Sequence, residues 1–289
     1  MKKLLLFLFT TTTIFASSAF TTPLEVKNRL LDTNFIVLDV SSNAIYKKGH
    51  IPYAINVNVS TFRKQVGKYQ LMKSSLEIEK IVQNLGVNKR SKVVIYGHNK
   101  PKDLLKSSYV ALALIVNGFK NVSLLDGGYE DWLDEYPRLT LKETHPVIKG
   151  DFVAKFNSTI LVDIKYVFKN IGKIDMIESR PSRYYYGKAQ SSGVKRLGHI
   201  PFARTSFWKD NFASDDTVLD KSYLYKRFYK QNRLLPEQEV IVYCTGGLEA
   251  SMNWFILTQH LGFSNVKLYD ASMREWGNLT KTPMTLEDF

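Results

Sequence analysis

The chain has 289 residues, of which 44% are hydrophobic and 23% are charged. This length allows two domains of common size, and the composition excludes a disordered or fibrous protein. The formal net charge is +13, but the basic residues are scattered, which is typical of a solvated surface and gives only weak support for anionic substrates. We expect no nucleic-acid partner.

The first segment of the chain has the pattern of a signal peptide. Lys2 and Lys3 precede a short apolar run over residues 4–9, and Ser17-Ser18-Ala19 offers the small residues that a signal peptidase reads. The run is too short to span a bilayer. We therefore expect residues 1–19 to be a cleaved leader and the mature protein to be periplasmic, without stable membrane insertion. A buried N-terminal helix or a membrane anchor is the alternative.

The rest of the chain is a tandem repeat. Three segments of the first half recur in the same order in the second half: Gly49-His50-Ile51-Pro52-Tyr53-Ala54 as Gly198-His199-Ile200-Pro201-Phe202-Ala203, 93–97 as 240–244, and 118–122 as 262–266. Leu125-Asp126 with Trp132 is likewise echoed by Tyr269-Asp270 with Trp276. The repeat separation is about one domain length. We predict one domain over residues 20–138, a linker over 139–152 and a second domain over 153–289.

Each copy alternates short apolar strands with helical patterns, which predicts an α/β domain with a mainly parallel sheet flanked by helices. In the second copy we predict strands over 175–178, 240–243 and 266–269, and a helix over 249–261 that ends at Gly262. The helix is apolar almost all round, which indicates a core role and no cofactor site.

Cys244 is the single cysteine of the chain. It can form no internal disulfide, so it is either a buried apolar residue or a reactive thiol. The spacing of the five histidines excludes a thiolate metal cluster, and we expect no metal or cofactor.

The position of Cys244 favours the reactive thiol. It lies between a predicted strand and a predicted helix, with Gly246 and Gly247 in the turn. Glycines let the backbone curl, so several N–H groups can converge on the sulfur at the start of the helix. This arrangement predicts a lowered pKa and reactivity near neutral pH.

Together these motifs resemble the tandem-domain rhodanese family of sulfurtransferases, which includes thiosulfate and 3-mercaptopyruvate sulfurtransferases. The resemblance covers nearly all of the chain after the leader. It implies that Cys244 accepts sulfur from a small anionic donor such as thiosulfate, as a persulfide, and passes it to cyanide or a thiol. It also implies that a loop cradles the transferred sulfur through backbone donors. The residues of this loop are Cys244, Thr245, Gly246, Gly247, Leu248 and Glu249.

The same resemblance implies roles for two arginines. Arg183 matches the family's donor-binding arginine, with Arg180 in support, because a guanidinium suits a thiosulfonate or carboxylate. The alternative for either is a structural salt bridge, which is favoured more for Arg180. Glu178 is interpreted as a hydrogen-bond acceptor behind the site. Gly97 stands where the second copy has Cys244, so the first domain is predicted to be inactive and to cover one side of the cleft.

The sequence departs from the family pattern at several donor-binding positions. Thr245 and Gly246 stand where thiosulfate enzymes of the animal type have Arg and Lys, and Ser192 matches the second substrate arginine of mercaptopyruvate enzymes. Lys195 or Arg196 is a candidate substitute.

Two further interpretations concern titratable residues near these motifs. Glu249 is interpreted as a helix-start residue, and its carboxylate is expected to raise the cysteine pKa unless it points to solvent or caps the helix. His50 and His199 are interpreted as parts of fold-determining turns, since the motif recurs in a copy without a cysteine.

Two other functions stay open at this point. Phosphatases and arsenate reductases share this fold, but they need an arginine where this chain has Ala250, so they are a minor alternative. A non-catalytic sulfur carrier is the other alternative, because the anion-binding positions are weakened. A carrier would take up one sulfur and then stall, whereas an enzyme would turn over.

Overall fold

The structure is a computed structural model that describes residues 18–142 and 145–286. The expected leader lies outside the described residues except for Ser18 and Ala19, so its cleavage stays a prediction. Within the described ranges, no helix is both long enough and apolar enough to cross a membrane.

The first half of the chain is built on a five-stranded sheet whose neighbouring strands are all parallel. The strands of this half are β1 (Phe20–Thr21), β2 (Phe35–Asp39), β3 (Ile55–Asn56), β4 (Arg63–Val66), β5 (Tyr69–Met72), β6 (Lys92–Tyr96) and β7 (Val122–Leu125). Its α-helices are α1 (Pro23–Arg29), α2 (Asn43–Tyr46), α3 (Ser75–Asn84), α4 (Lys102–Val116) and α5 (Gly128–Glu135). The sheet order is β1-β7-β6-β2-β3, and β4 and β5 form a separate antiparallel hairpin.

The second half repeats this plan. Its strands are β8 (Leu161–Val162), β9 (Asp175–Glu178), β10 (Arg204–Thr205), β11 (Val240–Tyr243) and β12 (Val266–Tyr269). Its α-helices are α6 (Ile164–Lys169), α7 (Ser182–Tyr185), α8 (Lys221–Asn232), α9 (Leu248–Phe255) and α10 (Ser272–Trp276). The parallel order β8-β12-β11-β9-β10 matches the first sheet strand for strand. The predicted fold class, two tandem α/β domains with mainly parallel sheets, is confirmed.

The predicted helix over 249–261 is present with a change of form inside it. The α-helix α9 begins at Leu248, and a π-helical turn over Ile256–His260 continues it. Gly262 then adopts φ +79°, a left-handed conformation that glycine tolerates and that ends helices. The local sequence therefore located both ends of the segment, but not the switch to π geometry.

The two Gly-His-Ile-Pro segments form equivalent buried turns. The ring of His50 stacks on Tyr46 at 3.8 Å between centroids, and that of His199 stacks on Tyr185 at 3.6 Å. In each case Nδ1 of the histidine lies within hydrogen-bond distance of the carbonyl oxygen of the same tyrosine. Both histidines are fully buried. The same packing in both halves is that of a fold-determining turn.

The two halves share one core. Helices α4 and α9, which follow the equivalent loops of the two domains, pack against each other, and Oγ of Ser108 lies 2.8 Å from Oγ of Ser251. Buried side chains of both helices, including Val110 and Phe255, belong to a single apolar cluster. Burial of one such large apolar side chain stabilises a fold by about 1.5–3 kcal/mol. The loop that precedes α9 therefore rests on a packed core to which both domains contribute.

Candidate active site around Cys244

Cys244 follows β11, the central strand of the second sheet, and it is fully buried. Strands β9 and β12 lie parallel on either side of β11, so the segments that follow all three strands meet at one edge of the sheet. In parallel α/β sheets this is the edge at which ligands bind. The structure thus places the cysteine between a strand and a helix, as the sequence predicts.

The loop after Cys244 curls around the sulfur. The N–H of Gly247 donates to Sγ of Cys244 at 3.1 Å. Gly247 has φ +93°, and a β-carbon there would overlap Oδ1 of Asp270, so only glycine fits. Oγ of Ser272 accepts a hydrogen bond from the N–H of Cys244 at 3.0 Å and lies 3.9 Å from its sulfur. These contacts fix the position of the sulfur.

The electrostatic setting of the thiol differs from the prediction. Burial, followed by the negative charge of Glu249, raises the pKa of Cys244 to about 12. Hydrogen bonds from the backbone of Ala250 and Gly246 act in the opposite direction but are outweighed. The predicted lowering of the pKa is therefore wrong in this structure, because removing the thiolate from water costs more than the loop donors return. The raised pKa favours the neutral thiol at neutral pH.

Glu249 ties the loop together from the first turn of α9. Its Oε2 accepts a hydrogen bond from the N–H of Thr245 at 3.2 Å, and burial raises the pKa of the carboxyl. Oγ1 of Thr245 lies 3.0 Å from Oγ of Ser191, and the partly buried Leu248 packs against the shared core. Glu249 thus faces the loop rather than solvent, which explains why its charge still raises the cysteine pKa.

Arg180 is a buried ion-pair partner of Glu178. Its Nε lies 2.9 Å from Oε1 and its Nη2 lies 2.7 Å from Oε2 of the carboxylate, and Nη2 also donates to the carbonyl oxygen of Gly198. Burial lowers the pKa of Arg180, but the charge and hydrogen bonds of Glu178, with smaller contributions from Tyr243 and Glu249, together outweigh it and raise the pKa overall. This geometry favours the salt-bridge interpretation of Arg180 and the acceptor role of Glu178.

Arg183 lies on α7, in the segment that follows β9 at the same edge of the sheet as Cys244. It is exposed, and its guanidinium lies 4.8 Å from the ring centroid of Tyr184. No carboxylate among the described residues is paired with it in an ion pair. Arg183 is therefore available to an anion, which is consistent with its expected role.

Lys195 and Arg196, the candidate substitutes for the second substrate arginine, have different surroundings. Arg196 donates to the carbonyl oxygens of Trp276 at 2.8 Å and Thr282 at 2.6 Å, so it holds the C-terminal segment in place. Lys195 is exposed, and its backbone N–H donates to Oδ1 of Asn278 at 2.9 Å. The structure thus assigns Arg196 a structural role.

Three residues that sequence reasoning missed support the loop from behind. Nη2 of Arg63, on the hairpin of the first domain, donates to the carbonyl oxygen of Gly246 at 2.6 Å. Its guanidinium lies 4.6 Å from the ring centroid of Tyr109 and 4.0 Å from Oδ1 of Asp270. Asp270 in turn accepts hydrogen bonds from the hydroxyl of Tyr109 at 2.9 Å and from the N–H of Met72 at 2.8 Å. The first domain therefore contributes directly to the site.

In the first domain, the side chain of Asp103 fills the loop that follows Gly97. A carboxylate oxygen of Asp103 accepts hydrogen bonds from the N–H groups of His98 at 3.0 Å and Asn99 at 2.9 Å. A β-carbon on Gly97 would overlap Asp103. The N–H of Asn99 thus faces a carboxylate, whereas that of its counterpart Gly246 faces the sulfur. The N–H of His98 and that of its counterpart Thr245 both donate to a carboxylate.

Comparison with known proteins places these features in a family. A family model described as "Rhodanese-like domain" matches residues 22–135 and 165–279, and each match contains one of the two equivalent loops. The sulfur carrier protein TtuD of Thermus thermophilus is 28% identical over 90% of this chain and 93% of its own. A thiosulfate sulfurtransferase of Corynebacterium glutamicum is 25% identical over 86% of this chain and 84% of its own. The crystal structure of YnjE superposes with a TM-score of 0.82 over 94% of this chain and 69% of its own, at 20% identity, which shows a shared fold.

Proposed function

This chain belongs to the rhodanese-like domain family, and from that membership we propose that it is a sulfurtransferase that works through a persulfide on Cys244. Sulfur would move from a small anionic donor such as thiosulfate to cyanide or a thiol. The observation that carries the proposal is the loop after β11, in which the N–H of Gly247 points at the sulfur of the single cysteine.

In the uptake step, the thiol first loses its proton to solvent, and the thiolate attacks the outer sulfur of thiosulfate. A bond forms between Sγ of Cys244 and that sulfur, while the S–S bond of thiosulfate breaks. Sulfite leaves with the bonding electron pair. In the release step, cyanide attacks the outer persulfide sulfur, thiocyanate forms and the Cys244 thiolate returns. A thiol acceptor would receive the sulfur in the same way, and neither route needs an external oxidant or reductant.

The loop supplies the stabilisation that this chemistry requires. Negative charge would pass to the outer sulfur when the persulfide forms, beside Sγ of Cys244, which the N–H groups of Gly246, Gly247 and Ala250 face. Preorganised backbone donors of this kind stabilise developing charge without reorganising during the reaction. Arg183 would hold the anionic end of the donor at the entrance, since its guanidinium is exposed and makes no ion pair with the described residues.

A sulfur carrier is the second candidate function. Two observations favour it: Cys244 is fully buried with a raised pKa, and one of the relatives is a sulfur carrier protein. A buried neutral thiol reacts slowly with free donors, because the thiolate is the nucleophile. Such a site would suit sulfur uptake from, and release to, a protein partner that opens it.

Intact-mass spectrometry before and after thiosulfate, followed by cyanide, tests the proposal. A gain of one sulfur atom that cyanide removes as thiocyanate supports it, and Cys244→Ser is expected to abolish the gain while leaving the fold intact. A Cys244→Ser variant with normal turnover would show that the persulfide mechanism is wrong. Steady-state rates separate the two candidates, since a carrier takes up one sulfur per chain and stalls while an enzyme continues.

We also propose that the protein acts in the periplasm, on the basis of the leader-like pattern over residues 1–19. Expression of the full chain in a two-membrane bacterium, with fractionation and N-terminal sequencing, tests this. A mature chain that begins at Phe20 in the periplasmic fraction would support it. An unprocessed chain in the cytoplasm would contradict it.

A further inference from the structure

Arg274 lies directly against the active-site loop. It is part of α10, and its backbone N–H donates to the carbonyl oxygen of Thr245 at 2.9 Å. A β-carbon on Gly246 would lie 3.2 Å from Cδ and 3.7 Å from both Nε and Nη1 of Arg274. The guanidinium thus covers the face of Gly246, where the absence of a side chain leaves room for it.

A second segment of the chain, around Gly193, packs against the same guanidinium. A β-carbon on Gly193 would lie 3.4 Å from Nε of Arg274. The nearby Ser191 contacts the loop through the 3.0 Å approach of its Oγ to Oγ1 of Thr245. Arg274 therefore lies between two segments that meet beside the residues after Cys244.

The guanidinium of Arg274 has donors that the protein does not use. Its Nε is buried without a hydrogen-bond partner, and no carboxylate of the described ranges forms an ion pair with it. The other arginines in this region use donors within the protein, although Nε of Arg63 is also buried without a hydrogen-bond partner. Arg63 donates to the carbonyl oxygen of Gly246, Arg180 pairs with a carboxylate, and Arg196 donates to backbone carbonyls.

We propose that Arg274, in addition to Arg183, binds the anionic group of the sulfur donor beside Cys244. A buried N–H without an acceptor is costly, and an oxygen of a sulfonate or carboxylate would satisfy it. The planar fork of a guanidinium also matches the geometry of such groups. The identity of the donor rests on the proposed function, whereas recognition of an anion by Arg274 can be measured without any sulfur transfer.

Alkylation of Cys244 by iodoacetate and by iodoacetamide tests the proposal. The two reagents share a leaving group and differ in charge, so the ratio of their rates, divided by the same ratio for glutathione, reports anion recognition at the site. Arg274→Met keeps the length and apolar packing of the side chain without its charge, and we expect it to lower the ratio about tenfold. Arg274→Lys should retain much of the preference. Lys281→Met removes one exposed charge elsewhere and should leave the ratio unchanged.

Equal ratios in the unmodified protein and in Arg274→Met would overturn the proposal. So would a Cys244 that reacts with neither reagent, because a site closed to small anions cannot select them through Arg274. The unfolding midpoint shows whether Arg274→Met retains the fold, and Arg274→Gln replaces it if it does not. A protein that gains no mass from thiosulfate but keeps its preference for iodoacetate would reject the proposed sulfur transfer and retain the role of Arg274.

Discussion

Arg63, on the hairpin of the first domain, donates a hydrogen bond to the carbonyl oxygen of Gly246 in the loop that follows Cys244. The contact joins residues far apart in the sequence, and both residues are buried. The domain without a cysteine therefore holds the loop of the domain that has one. This makes the first domain a structural part of the site, beyond the expected cover on one side of a cleft.

We expect Arg63→Met to destabilise the fold and to slow sulfur uptake. The substitution removes the donor to Gly246 and leaves the buried Asp270 without its cationic neighbour. Loss of one partner from a buried charged contact costs roughly 2–4 kcal/mol. Urea unfolding gives the change in the free energy of unfolding, and intact mass after thiosulfate gives the rate of uptake.

Lys64→Met is the matched control, because it removes an exposed charge from the same hairpin. Its stability and uptake rate should equal those of the unmodified protein. If Arg63→Met behaves like this control in both measurements, the contact with Gly246 does not support the loop.

Local sequence patterns were sufficient for the fold and for the cysteine. Each repeated segment, and the strand-turn-helix pattern around Cys244, is a short stretch of neighbouring residues, and the structure shows these elements as predicted. The roles of Arg63 and Arg274 depend on which distant segments meet, and no local pattern carries that information. For Arg196 the sequence suggested a substrate-binding role that the structure does not support. Its guanidinium holds the C-terminal segment instead.

The prediction of a lowered cysteine pKa was wrong for a related reason. The sequence shows glycines that let N–H groups converge on Cys244 and a helix start beside it, and such donors lower a thiol pKa. It does not show how deeply the thiol is buried, and burial is the largest contribution. The direction of the pKa shift therefore could not be predicted without knowing how both domains pack around the loop.

The raised pKa of Cys244 predicts a steep dependence of sulfur uptake on pH. Because the thiolate is the nucleophile and the pKa is about 12, the reactive fraction should grow about tenfold per pH unit from neutral pH into the alkaline range. Single-turnover uptake from thiosulfate, followed by mass between pH 6.5 and 9.5, gives this profile. A rate that reaches a plateau near pH 7 would mean that the thiol ionises at an ordinary or lowered pKa.

Glu249→Gln should increase the uptake rate at neutral pH. The substitution removes a negative charge that raises the pKa of Cys244, while the amide oxygen can still accept from the N–H of Thr245. The pH profile should move toward lower pH with little change in stability. Glu237→Gln, which removes an exposed carboxylate outside the loop, serves as the control. Slower uptake in Glu249→Gln than in this control would point to a direct role for the carboxylate instead.

Gly97→Cys is not expected to create a second sulfur site, even though it restores a cysteine at the equivalent position of the first domain. The N–H groups of His98 and Asn99 already donate to Asp103, and a β-carbon at position 97 would overlap that side chain. Overpacking of this kind typically costs about 1–3 kcal/mol. The measurement is mass gain from thiosulfate in a Cys244→Ser background, where any added sulfur must reside at position 97. Removal of the obstacle by Asp103→Gly in the same background shows whether the carboxylate is what closes the loop. A gain of sulfur while Asp103 is still present would show that the first-domain loop can open, and that its inactivity stems from the missing cysteine alone.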